Sequence, residues 1–89
     1  MSLASESVSA GMRRSDQPQP ALGEAIRQLR QKRSMTQEDL AHQADITTGT
    51  LSLIERGFAN PTWGTVRGVA VALGVSMGDL GKLADSLGK

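Results

Sequence analysis

Apolar residues acquire a helical period near residue 20 and keep it to the end of the chain. Upstream, Leu3, Val8 and Met12 are scattered among Ser, Gln and Pro without period. Segment 1–19 therefore reads as a flexible N-terminal tail, too poor in apolar surface to offset the entropy of ordering it. Leu22, Ile26 and Leu29 then recur at spacings of four and three, one stripe of a helix. Pro20 suits a first turn, where no intrahelical N–H bond is lost. The pattern predicts a first helix over 20–33.

Four more helix starts share one grammar. A Ser or Thr N-cap accepts from an orphan N–H of the first turn, and apolar residues on either side staple it. Thr36 lies between Met35 and Leu40, Thr47 between Ile46 and Leu51, Thr62 between Pro61 and Val66, and Ser76 between Val75 and Leu80. Asp39 and Asp79 stand at the third position after Thr36 and Ser76, as shorter substitutes for the Glu of a capping box. Gly57 and Gly74 suit the left-handed residue that ends a helix. These signals predict helices at 37–44, 48–56, 63–73 and 77–86. Nothing alternates with period two, so strands are not expected. The expectation is an all-α domain of five helices over 20–89.

The second and third helices leave only about three residues around Asp45 between them, a turn tight enough to force a steep crossing. Ala41 supplies a small residue where the backbones meet, and Asp45 must tolerate positive φ. Leu40, Ala44, Ile46, Leu51 and Ile54 would face inward. Gln37, Thr47, Thr48, Gly49, Ser52, Leu53 and Arg56 are left outside.

This segment resembles the helix-turn-helix of the phage-repressor family (Cro/C1, or XRE, regulators). The resemblance rests on Gln37, Leu40, Ala41, Ala44, Ile46, Leu51 and Ile54 in their motif positions. It extends to Leu22-Gly23-Glu24 with Ile26, Arg27, Leu29 and Arg30, to Ile54-Glu55-Arg56-Gly57 with Asn60-Pro61-Thr62, and to Ala70 with Leu73-Gly74-Val75-Ser76. Three positions depart from the family pattern: Asp45 replaces the usual turn Gly, Gly49 sits inside the third helix, and Leu53 occupies an outer position often held by a long polar side chain.

The resemblance implies a lambda-repressor-like fold and a transcriptional regulator that binds double-stranded DNA as a homodimer, without catalysis, cofactor or metal. Gln37 and the backbone N–H groups beside it would bind a phosphate, Gln37 alternatively being a solvated side chain. Thr48, Gly49, Ser52 and Leu53 would face the major groove, with Thr47 first a cap that still approaches DNA. Arg56 and Asn60 would follow the DNA backbone, Asn60 alternatively closing an Asx turn. Arg30 would pair with Glu55 in a largely buried ion pair. No Arg, Lys, Gln or Asn precedes Arg56 on that helix to make a bidentate base contact, so direct readout should be modest and DNA shape should contribute. The rival reading is a protein-interaction module or antitoxin on the same scaffold, with Gly49 and Leu53 meeting a protein partner.

Composition narrows the chemistry. The chain of 89 residues has no Cys, no Tyr and a single His, so thiolate chemistry and a His-rich metal site lack parts. His42 has no second ligand at metal spacing and should be solvated. No apolar run reaches the roughly 20 residues that cross a bilayer, and no signal peptide is evident, so the expected compartment is the cytoplasm. Net charge is +1, but Arg27, Arg30, Lys32 and Arg33 cluster without an acid among them, read first as a solvated helix end favoured by the helix dipole and alternatively as a basic face. Arg13 and Arg14 give the tail a second reading, an arm for a nucleic-acid groove. Trp63, one of two aromatics, is expected to pack. Leu80, Leu83 and Leu87 form a stripe that either closes the monomer core or joins a twofold interface.

Overall fold

The computed structural model describes residues 19–88. Segment 1–18, with Arg13 and Arg14, lies outside the described residues. The five helices are α1 (Pro20–Lys32), α2 (Gln37–Ala44), α3 (Thr48–Glu55), α4 (Trp63–Leu73) and α5 (Met77–Leu87). Among the described residues there is no strand.

The predicted caps all form. Asp39 N–H donates to Thr36 Oγ1 at 3.0 Å, Thr50 N–H to Thr47 Oγ1 at 3.0 Å, Thr65 N–H to Thr62 Oγ1 at 3.2 Å and Asp79 N–H to Ser76 Oγ at 3.0 Å. Only the first closes a full capping box, with Thr36 N–H donating to Asp39 Oδ2 at 3.0 Å. That bond from the Thr36 backbone holds the Asp39 carboxyl below its ordinary range, because it favours the ionised form.

The ends of α1 to α4 share one closure. Met35, Ile46, Phe58 and Val75 each send their N–H back five residues, to the carbonyls of Arg30, Ala41, Leu53 and Ala70. The residue before each is left-handed: Ser34 (φ 57°), Asp45 (φ 60°), Gly57 (φ 80°) and Gly74 (φ 73°). This is the Schellman arrangement, in which a left-handed residue lets the chain satisfy carbonyls that the helix leaves open. Two glycines and Asp45 announce it in the sequence. Ser34 does not, because serine carries the penalty of a Cβ at positive φ.

Inside, Ala25, Ile26, Leu40, Ala41, Leu51, Ile54, Val69, Ala70, Leu73 and Leu80 form one buried cluster. Helix α1 packs on α3 and α5, and α2 packs on α3 and α4. The approach of α1 to α3 depends on Gly23: a Cβ there would overlap the Ile54 carbonyl oxygen and lie 3.0 Å from that of Glu55. At the corner after α3, Gly57 needs both its positive φ and its missing Cβ, which would come 2.9 Å from Pro20 Cα.

Leu80 is buried, and Leu83 and Leu87 pack against the cluster. The α5 stripe therefore closes the monomer core. The expectation that Trp63 packs is not met. It is 70% exposed, because Val66, Val69, Ala70 and Leu73 form the inward face of α4. Arg67 and Val71 follow Trp63 at helical spacing and are also exposed, so among the described residues α4 presents an exposed outer face.

Candidate nucleic-acid interface

The tight turn predicted around Asp45 joins α2 to α3, with Leu40, Leu51 and Ile54 buried beneath it and Ala44 and Ile46 at its edge. Locking these side chains inward leaves one side of α3 to solvent. Thr47, Thr48, Gly49, Leu53 and Arg56 are exposed, and Ser52 is half-buried. Leu53 is 43% exposed, unusual for a leucine on a helix whose other large apolar residues are buried. The surface offers methyl groups, small hydroxyls and a bare backbone at Gly49. It offers no carboxylate, since Glu55 is turned inward.

Thr47 is first a cap. Its hydroxyl accepts from Thr50 N–H and donates to Thr50 Oγ1 at 2.8 Å, leaving mainly its methyl group for contact. Asn60 is exposed, and among the described residues its side chain closes no Asx turn.

Arg30 and Glu55 meet as a forked pair. Arg30 Nε donates to Glu55 Oε2 at 2.7 Å and Nη2 donates to Oε1 at 2.9 Å. The side chains are 12% and 1% exposed, respectively. The remaining guanidinium nitrogen, Nη1, donates to the Met35 carbonyl at 2.9 Å. A bidentate geometry with every buried polar atom satisfied is what makes a desolvated carboxylate tolerable.

The cluster in α1 leaves little of a basic face. Arg30 is spent on Glu55, and Arg27 pairs across one helical turn with Glu24 at 2.8 Å, which lowers the Glu24 pKa. Lys32 and Arg33 remain exposed. His42 is exposed, and among the described residues no group of His, Asp and Glu is arranged to hold a metal. No described helix is long and apolar enough to cross a membrane.

Residues 21–83 match the family model described as Helix-turn-helix domain. The chain belongs to that family. The HTH-type transcriptional regulator DdrOP3 of Deinococcus deserti is 39% identical over 59 residues, 66% of this chain and 46% of that protein. Among solved structures, the clp gene regulator ClgR from Corynebacterium glutamicum superposes with a TM-score of 0.75 at 32% identity, covering 79% of this chain and 76% of that one. The restriction-modification controller protein C.Esp1396I, solved as a tetramer in complex with its natural 35-base-pair operator, superposes with a TM-score of 0.71 at 26% identity. That match covers 76% of this chain and 90% of the other. The chain spans less than half the length of the curated relatives it matches, 46% and 39%.

Two features of this helix-turn-helix escape the sequence reading. Gln37, expected as a phosphate ligand or else a solvated side chain, donates from Nε2 to Glu55 Oε1 at 3.1 Å. Phe58, exposed on the corner after α3, carries the Arg56 guanidinium over its ring at 5.4 Å from the centroid. The first bond spans 18 residues, a distance no local pattern encodes. The second had a local signal, an aromatic two residues after an arginine.

Proposed function

We propose that the chain is a DNA-binding module of a transcriptional regulator, acting in the compartment that holds the chromosome and reading the major groove of duplex DNA with α3. The observation that carries the reading is the α3 face itself. It is a helix held between α1 and α2, with Thr48, Gly49, Ser52 and Leu53 outward and no anionic side chain among them. Gln37 and the α2 N-terminus on one flank, and Arg56 with Asn60 on the other, supply phosphate contacts that set register. Leu53 and the threonine methyls suit thymine methyl groups. A homodimer on paired half-sites is part of the same proposal.

Titration against random duplex pools at several salt concentrations tests this. Affinity should fall linearly in log–log against salt, by the release of ions from the phosphates contacted. Leu53→Ala should change the sequences recovered from the pool. Absence of binding at low salt would refute the reading in favour of a protein-interaction module.

A further inference from the structure

The Glu55 carboxylate does more than join two helices. Its Oε2 takes Arg30 Nε, while its Oε1 takes both Arg30 Nη2 and Gln37 Nε2. Arg30 in turn holds the Met35 carbonyl, one residue before the cap of α2. One buried acid at the end of α3 thus ties down the start of α2, where the phosphate contact of the DNA-binding reading is made.

We propose that Glu55 is a positioning residue for DNA binding: its carboxylate fixes the Gln37 amide so that the NH2 group bridges Glu55 and a backbone phosphate. The inference rests on the reading given under Proposed function. Its chemistry is directional. A carboxylate only accepts, so the amide must turn its NH2 side, and not its carbonyl oxygen, toward Glu55. A phosphate also only accepts. The NH2 has two hydrogens, one for each anion, and Gln37 remains half-exposed to offer the second. Glu55 does not repel the phosphate, because the Arg30 fork neutralises it. The bond also restrains a long side chain before DNA arrives, so less rotamer freedom is lost on binding.

The test is a coupling measurement in two backgrounds. Arg30→Met with Glu55→Leu replaces the ion pair by apolar groups, an exchange that buried pairs often accept with little loss of stability, and a thermal melt checks the fold. In the parent, Gln37→Ala should weaken binding to all duplexes by about tenfold, the size of one hydrogen bond to a charged group. In the apolar background the same change should weaken it by no more than about twofold, since the unanchored amide has already lost its advantage. Equal losses in both backgrounds, or none in the parent, overturn the proposal while leaving DNA binding intact. A parent that binds no duplex overturns the functional reading itself. A measurement on the free parent does not depend on any variant folding. The Gln37 side-chain amide should show nuclear relaxation as restricted as the α2 backbone, and free rotation of that amide overturns the proposal.

Discussion

Gly23 offers a perturbation whose sign differs between local propensity and tertiary packing. It sits inside α1, where glycine costs up to about 1 kcal/mol relative to alanine, so propensity alone expects Gly23→Ala to stabilise. The structure expects the opposite. The added Cβ would overlap the Ile54 carbonyl oxygen and press on the Glu55 carbonyl oxygen and carbon at 3.0 and 3.1 Å. These are backbone atoms of a packed helix and cannot rotate away. Relief requires α1 to move off α3, which stretches the 2.7 and 2.9 Å bonds from Arg30 to Glu55. Overpacking of this kind costs about 1–3 kcal/mol, occasionally more, and each weakened charge-assisted bond adds about 1.5 kcal/mol or more. After the propensity gain is subtracted, the net loss should be at least about 2 kcal/mol, or about 8–16 °C in Tm for a domain of this size. Gly81→Ala is the control. Gly81 lies inside α5 with nothing within 4 Å of a Cβ, so there the substitution should stabilise by up to about 1 kcal/mol. Thermal melts of both variants decide the matter. A Gly23→Ala protein that melts at or above the parent would refute the packing argument.

Glu55→Ala strands the Arg30 guanidinium and should cost about 3–5 kcal/mol, read as a lower denaturant midpoint; a midpoint equal to the parent's would sink the buried-pair account. Ser34→Gly removes the Cβ penalty at φ 57° and should add about 0.5–1 kcal/mol in the same assay, after allowing for the greater unfolded entropy of glycine; a loss of stability would show that the serine side chain itself is needed. Asp39 has a folded pKa below its unfolded value, so its contribution is complete above the unfolded pKa, near 4, and disappears as pH falls through the lowered folded pKa. The Tm gap between parent and Asp39→Ala should accordingly shrink on acidification below about pH 4, and a gap that widens there would contradict the assignment.

The sequence by itself determined the elements. Caps, staples and glycine stops are local chemistry, complete within a few residues, which is why α2 through α5 begin where Thr36, Thr47, Thr62 and Ser76 place them. The order and spacing of those elements also determined which side of α3 faces out, because Leu51 and Ile54 had to be buried. Tertiary structure decided what required two distant segments to meet. Gly23 looks like a weak helix residue until Ile54 is brought against it. The Gln37 amide reads as free until α3 supplies Glu55. Arg30 looks like part of a basic face until the same acid claims it. Trp63 illustrates the converse: a large aromatic promises burial, but Val66, Val69, Ala70 and Leu73 already form the inward face of α4. The Arg30–Glu55 contact was expected only from family resemblance, since adjacency to Leu29 and Ile54 places each charge at the edge of a stripe without naming its partner. A helix period specifies which way a side chain points from its own axis. Which atom waits there depends on how the helices cross, and that is set by the packed core as a whole.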